Sequence, residues 1–295
     1  MGLRIRTNVP ALKAQRNLST VTGAMQDNME KLSSGYRINK SADDAAGLAI
    51  SESLGGKIRS VDQARRNASD GVSLIQVAEG SMNEISNILI RLRELATQAS
   101  SDTIGNLERS YTNKEYRELV DEIDRISNSS EFNGRFLLGG AEANQGVTNL
   151  TIHVGAGDGT IPNSDTIQFD IDTIKINARE VLGLNAEAEV GPMDVTDLTF
   201  ERETAASKLG VIDSAIKRVA GNRAVLGAKQ SRLMSTINNL GVQLENMATS
   251  RSRIKDVDFA VEVAQMTQNR IIAQAGVSVL GQANQIPELA LGLLR

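Results

Sequence analysis

Few residues in this chain could carry out chemistry, and their spacing argues against it. His153 is the lone histidine among 295 residues, and cysteine is absent. That excludes multi-histidine and thiolate metal sites, cysteine nucleophiles and disulfides, and argues against a histidine-based triad. No His-Glu-x-x-His and no glycine-rich phosphate loop occurs. Asp170 and Asp172 lie two apart in an alternating stretch, so they share a strand face and offer at best a weak cation site. Solvated charge is the better reading. His153 falls in a similar alternation and reads as a surface or edge residue. Asn-x-Ser/Thr triplets start at Asn17, Asn39, Asn67, Asn128 and Asn149, but so short a motif arises by chance. No catalytic, cofactor or metal site is expected, and the chain does not read as an enzyme.

Composition points the same way. Aromatics make up 3% of residues and Trp is absent, against 40% hydrophobic residues in all. A pool of Ala, Leu, Ile and Val suits thin helix-on-helix packing. The net charge of −4 hides a division: residues 1–40 hold seven Lys/Arg against two Asp/Glu, and residues 101–200 hold seven against eighteen. Residues 201–255 are basic again, ten against four. The basic segments lack interleaved aromatics and sit beside an acidic middle, so no nucleic-acid partner is expected. Met1 to Leu18 carries Arg4, Arg6, Lys13 and Arg16 and has no continuous apolar core, unlike a secretory signal. No run of about 18 apolar residues exists, so no membrane insertion is expected.

The elements are set by heptads. The longest periodic run, Leu209 to Ile254, has an unbroken apolar column at Ile212, Val219, Leu226, Leu233, Leu240, Met247 and Ile254. A companion column at Leu209, Ile216, Ile237 and Leu244 is interrupted by Arg223, Gln230 and Arg251, which are expected to mark where the stripe turns toward a neighbour. Its 46 residues would form a helix of roughly 70 Å, which needs partners along its length. A short helix begins near Pro10 and stops at Ser33-Ser34-Gly35, with Ala11, Leu18, Met25 and Leu32 in one column and Ala14 and Val21 between them. A second long helix runs from about Ala42 to Ser100, with Asp43 and Asp44 in its first turn and Val61, Ala68, Ile75, Met82, Leu89 and Ala96 as its stripe. A third spans roughly Leu107 to Ser129, with Leu119, Ile123 and Ile126 inward. Alternation at Leu150, Ile152 and Val154 and at Ile167, Phe169 and Ile171 predicts a hairpin, extended by Ile174 and Ile176. Residues 183–198 read as an exposed connector. A last helix runs from about Phe259 to Asn284, with Val263, Ile271, Ala275 and Val279 among its apolar positions. Pro287 is expected to end it, before an apolar tip at Leu289, Leu291, Leu293 and Leu294. Burying every stripe requires the chain to turn back at the strands, so that its ends meet. The fold class is therefore mainly α: an elongated antiparallel bundle of long helices with a small β-hairpin region at about 140–182.

Four stretches resemble the bacterial flagellins. They are Leu32-Ser33-Ser34-Gly35-Tyr36-Arg37-Ile38-Asn39 running on to Asp43-Asp44-Ala45-Ala46-Gly47-Leu48-Ala49, the turn Phe132-Asn133-Gly134, Ser250 to Phe259, and the ending Gln282-Ala283-Asn284-Gln285 to Leu293-Leu294-Arg295. The likeness covers roughly residues 1–140 and 198–295, with about 60 residues between, too few for large outer domains. It implies a structural subunit that polymerises into the flagellar filament for swimming. Residues 1–41 with 258–295 would pair as a coiled coil in the inner filament, disordered in the monomer, around which residues 42–257 form the helical bundle. The polymerisation seam would include Leu18, Val21, Met25, Leu32, Val263, Ile271, Val279, Leu289, Leu293 and Leu294.

Implied partners are further copies of the chain in a helical homopolymer, the flagellar type III export apparatus and an export chaperone, and the hook-associated and cap proteins. Such a subunit is secreted unfolded, without a cleaved signal. Flagellins also bind the vertebrate Toll-like flagellin receptor, an innate immune receptor, and the matching positions here are Arg91, Leu95 and Glu115. Ile90 stands where strongly stimulatory members carry Gln, and Thr112 replaces an aliphatic residue. The hook–filament junction protein shares both terminal helices and is the alternative. The complete Ser250–Phe259 stretch and the Leu293-Leu294-Arg295 ending favour flagellin.

Overall fold

A computed structural model describes residues 8–139, 148–155, 157, 165–178, 182–184 and 198–292, without the side chains of 106, 198–204 and 286–292. The described elements are helices α1 (Val9–Ser34), α2 (Ala45–Ala99) and α3 (Asn106–Ser129), strands β1 (Glu131–Phe132), β2 (Arg135–Phe136), β3 (Asn149–His153) and β4 (Thr166–Asp170), a helical turn α4 (Ile171–Ile174), and helices α5 (Leu198–Lys255) and α6 (Phe259–Gly292). The fold is mainly α with two small antiparallel hairpins, β1–β2 and β3–β4. The chain divides into two compact units, one of Met1–Ile58 with Glu245–Arg295 and the other of Arg59–Leu244.

In the unit Arg59–Leu244 the expected stripes make the core. Ala68, Ile75, Met82, Leu89 and Ala96 of α2 are buried together with Ile212, Val219, Leu226 and Leu233 of α5. Arg93 pairs with Asp213 at 2.8 Å and Glu79 with Arg223 at 3.7 Å, so the two helices run antiparallel. Val120 and Ile123 of α3 close the third side. The helical hairpin α2–α3 is held by Arg109, whose Nε and Nη2 donate to the carbonyls of Ala99 and Ser101 at 3.1 and 2.9 Å. Those carbonyls sit at the negative end of α2, so one buried guanidinium satisfies both the orphan acceptors and the helix dipole.

The Asn133-Gly134 turn carries left-handed backbone at both residues, φ 52° and 74°, which is the geometry a two-residue hairpin demands. It closes β1–β2. In the larger hairpin, Leu150 faces Phe169 and Ile152 faces Ile167. Ile152 lies against the backbone of α2: a Cβ on Gly71 would stand 2.5 Å from its Cδ1 and 3.2 Å from Leu233 Cδ1.

Several expectations need correction. Ile171 and Ile174 belong to a helical turn rather than the strand, because the Asp170 carboxylate accepts from the backbone of Asp172 and Thr173 and starts a helix. Ile176 leaves the hairpin altogether, its N–H donating to Leu138 O at 3.0 Å. The Ser127 hydroxyl donates to the carbonyls of Leu138 and Ile176, and Asp124 accepts the Ala178 N–H at 2.6 Å. These bonds fasten the stretch after β4 to α3. Leu184, placed in an exposed connector, is buried, while 185–197 lie outside the described residues. α5 begins at Leu198, eleven residues before the periodic run.

In the other unit, α1 ends at Gly35 in the left-handed conformation, φ 74°, its N–H closing on Lys31 O. α2 begins at Ala45, not Ala42. Asp43 accepts from the backbone of Asn39 and Lys40 ahead of the helix, and Asp44 caps it by accepting the Gly47 N–H at 2.9 Å. α5 returns here antiparallel to α2, with Lys255 3.0 Å from Glu52 and Arg251 over Gly55. Arg223 and Arg251, expected to point at neighbours, thus both reach α2 of their own chain. Pro287 does not end α6, which continues to Gly292. Proline removes one helical donor, that for the Ala283 carbonyl, and Asn8 Nδ2 supplies a replacement at 2.7 Å.

Candidate assembly surface

The terminal helices α1 and α6 pack on each other, and the sequence dictates how little each can bury. On α1 the partly buried residues include Ala11, Ala14, Leu18, Val21, Met25 and Leu32, with Asn28 buried among them. This is the column the heptads predict. On α6, among the described side chains, those that are not exposed are Glu262, Met266, Asn269, Ala273, Gly276, Leu280 and Ala283, an unbroken alternation of four and three. That is coiled-coil spacing filled mostly by small and polar side chains. Leu18 sits over Gly276, whose Cβ would lie 3.4 Å from its Cδ1, and Asn269 Nδ2 donates to Asn28 Oδ1 at 3.3 Å.

The branched residues of α6 lie elsewhere. Val263, Ile271 and Val279 are 44%, 61% and 53% exposed and point away from α1, as do Phe259, Val261, Ile272 and Val277. The expected seam residues of α6 are therefore outside the intrachain seam. Residues spaced by eight drift round a helix relative to a seam of period three and a half, and the strict four–three signal lay in Ala, Gly and Asn. Leu289 lies within α6, but its side chain, like residues Leu293 and Leu294, lies outside the described residues. On α1, Val9, Leu12 and Met29 are also exposed.

Two of the diagnostic stretches meet at the base of this pair. The carbonyl of Lys255 accepts from the N–H groups of both Arg37 and Ile38, at 2.7 and 3.4 Å, and Val257 N–H donates to Gly35 O at 3.0 Å. Tyr36 forms a β-bridge with Asp256, and Lys255 Nζ lies 4.9 Å from the Tyr36 ring centroid. Arg37 Nη2 donates to Ile254 O at 2.7 Å, and Ile38 is buried beneath. Glu30 accepts from Asn39 and Lys40, and that bond with its charge holds the Lys40 ammonium above its ordinary pKa.

The second candidate surface, on α2 and α3, is split by the structure. Arg91 and Glu115 come together, with Nε and Nη2 donating to one carboxylate oxygen at 3.0 and 2.8 Å, and Glu94 takes Nη1 at 3.0 Å. The Glu115 bond, then that of Glu94, raise the guanidinium pKa, so Arg91 is a fixed positive charge at the surface. Leu95 is 2% exposed. It is buried and offers no surface, although it lies only about 40° round α2 from the exposed Arg91, on the side of Leu92.

The chemistry-bearing residues are ordinary. His153 pairs with Thr166 at the hairpin edge, and its carbonyl accepts from Asn67 Nδ2 at 3.0 Å. Asp170 caps α4, and the Thr173 hydroxyl bond holds its carboxyl below the usual range. Asp172 sits in the first turn of α4, so the two acids do not share a strand face. Among the described residues no group of three or more His, Cys, Asp or Glu could hold a metal, and no helix is long and apolar enough to cross a membrane.

Two family models match the sequence. One, the bacterial flagellin N-terminal helical region, covers residues 5–143, and the other, the bacterial flagellin C-terminal helical region, covers residues 209–294. A flagellin of Halalkalibacterium halodurans is 42% identical over 291 residues, covering 99% of each chain. One from Bacillus subtilis is 43% identical over 310 residues, 99% of this chain and all of its own. The flagellar filament 33 kDa core protein of Treponema phagedenis is 39% identical over 300 residues, again 99% of each chain.

Proposed function

The chain belongs to the bacterial flagellin family, and we propose that it acts by coupled folding and assembly, its two ends ordering as they are covered by other copies. It is a structural protein, not an enzyme, and it self-assembles into the extracellular flagellar filament that drives swimming. Full-length likeness to filament flagellins does not favour a hook–filament junction role.

The observation that carries the mechanism is the outward face of α6. Phe259, Val261, Val263, Ile271, Ile272, Val277 and Val279 are exposed, while the seam toward α1 is small and polar. Ordering a residue costs about 1–2 kcal/mol in backbone entropy, and burial of such a seam alone recovers little of it. Covering the outward residues against neighbouring copies supplies the rest, so assembly drives folding. In this reading residues 1–41 and 258–295 form the inner helix pair. Leu18, Val21, Met25 and Leu32 hold the pair together within the chain, and Val263, Ile271 and Val279, with Leu289, Leu293 and Leu294, serve contacts between chains.

Secretion through the flagellar type III export apparatus with an export chaperone, and docking to hook-associated and cap proteins, belong to the same proposal. They suit a cysteine-free chain whose ends stay unpaired until assembly. Recognition by the host receptor rests on Arg91 and Glu115, which are exposed and adjacent. It is tested with purified monomer: an Arg91→Ala, Glu115→Ala double change that leaves the receptor signal intact overturns it. For the main reading, purified chain is polymerised with salt and viewed by electron microscopy. Long filaments are expected, and their failure to form under any salt condition overturns it.

A further inference from the structure

We propose that the choice of partner in the terminal pair is made at the junction of Gly35–Ile38 with Lys255–Val257, which ties α1 to the α6 of its own chain rather than to that of a neighbouring copy. The inference rests on the reading above that these helices pair in the filament.

The seam cannot make that choice. Leu18, Asn28, Asn269 and Gly276 are present in every copy, so a pair made between chains buries the same residues as one made within a chain. Exchange of an identical element between protomers needs no new kind of contact, and assembly brings many α6 helices near each α1. A selective device has to lie where each helix joins the rest of its own chain.

The junction is such a place, because both of its segments are held by the first turns of α2. Glu52 of α2 lies 3.0 Å from Lys255 Nζ and Arg251 sits over Gly55, which places the end of α5. On the other segment, Ile38 is buried against Gly47, where a Cβ would stand 2.8 Å from its Cδ1. Asp43 accepts the N–H groups of Asn39 and Lys40, which ties down the link from Ile38 to α2. One helix, continuous in sequence with α1, therefore positions both halves.

Directional bonds close what remains. Lys255 O accepts the Arg37 N–H at 2.7 Å, and Val257 N–H donates to Gly35 O at 3.0 Å. Lys255 Nζ also lies 4.9 Å from the Tyr36 ring centroid, so one residue serves Glu52, Tyr36 and, through its carbonyl, Arg37. Gly35 directly follows α1 at φ 74°, where a side chain would be strained. Asp258, directly after Val257, caps α6 by accepting from the N–H groups of Ala260 and Val261. Thus α1 ends and α6 begins within two residues of a paired backbone group, and neither has slack to reach a neighbour's partner. The same closure sets their register.

The absence of cysteine allows the pairing to be read directly. Spin labels are placed at Ser19→Cys and Gln274→Cys, both exposed positions, either on one full-length chain diluted into unlabelled chain or on separate chains that are then mixed. In wild-type filaments pulsed electron resonance should give one narrow distance from the doubly labelled chain and no equal distance from the mixture. Val257→Pro removes the donor to Gly35, and Lys255→Met removes the ammonium but keeps the carbonyl. Filaments of either should lose part of the intrachain population and show the same distance between chains. Leu18→Ala, which thins the seam and leaves the junction whole, should keep the intrachain distance alone. Retention of the wild-type pattern by both junction variants overturns the proposal, as does a wild-type mixture that already shows the distance between chains. Failure of both junction variants to assemble, with Leu18→Ala still assembling, overturns it too, since loss of choice alone leaves a pair able to form. If the doubly labelled wild-type chain shows no pairing distance in filaments, the assembly reading fails instead.

Discussion

The unit Arg59–Leu244 and the terminal pair are built from similar heptads and reach opposite outcomes. The first fills its stripes with Ile, Leu and Met that are almost wholly buried, among them Ile75, Met82, Ile85, Leu89 and Leu92. The second buries Asn28, Glu262 and Ala283 and leaves the β-branched residues Val263, Ile271, Ile272, Val277 and Val279 of α6 in the open. One region finishes its core within a chain. The other leaves apolar residues exposed, and in the proposed assembly other chains cover them, which would make stability and assembly separable properties of one sequence.

The largest effect should come from deleting residues 259–295. Filaments should disappear from electron micrographs while the melting transition of the remaining core persists. Long filaments from that truncation would abolish the distinction between the two regions. Next, Leu89→Ala should cost about 3 kcal/mol in monomer unfolding, as full burial implies. Leu18→Ala should barely move the monomer melt and should lower the temperature at which filaments disassemble. Equal shifts of the monomer melt would show that the terminal pair is already folded in isolation.

A glycine contrast is smaller. Gly71→Ala should cost about 1–3 kcal/mol by driving Ile152 off α2. Gly241→Ala, with nothing within 4 Å of its Cβ, should stabilise by about 0.5–1 kcal/mol through helix propensity. Denaturant midpoints moving in the same direction for both would refute the packing assigned to the hairpin.

The smallest effect concerns Tyr116, whose hydroxyl is buried without a partner and whose pKa burial pushes up to about 12. The unfolded value is near 10. Below that pH neither state ionises and the group confers no pH dependence. Between about 10 and 12 the unfolded chain loses its proton first, so stability falls as pH rises. Tyr116→Phe should remove that alkaline loss and leave neutral stability unchanged or about 1 kcal/mol higher, as urea melts at pH 7 and 11 would report. A marked loss at pH 7 would mean the hydroxyl has a partner.

The core of Arg59–Leu244 was legible in the sequence because a single apolar column per helix coincides with a single buried face. Val61 through Ala96 and Ile212 through Leu240 read correctly for that reason. The seam of α6 was not, because that helix presents apolar residues to more than one surface, and hydropathy selects the outward one. The four–three run of Glu262, Met266, Asn269, Ala273, Gly276, Leu280 and Ala283 was visible as spacing but not as hydropathy. Pro287 misled because its usual effect presumes no outside donor, and Asn8 lies 275 residues from the carbonyl it serves. Leu95 lies only about 40° round α2 from the exposed Arg91 yet is covered, a rotation too small for spacing alone to resolve. Arg109, which ties α2 to α3, gave no pattern at all, since a charged residue in a polar helix face looks solvated until the facing carbonyls are known.

The span between Asn8 and Ala283 also has a meaning in time. At ribosomal rates of roughly 5–20 residues per second, the partner of α1 emerges on the order of ten seconds to a minute after α1 itself. Throughout synthesis α1 has nothing of its own chain to pair with, while the contacts of Arg59–Leu244 can form sooner. The newborn chain therefore carries an unpartnered α1 from early in synthesis, and in the proposed reading a cell making many copies must keep those ends apart until assembly covers them.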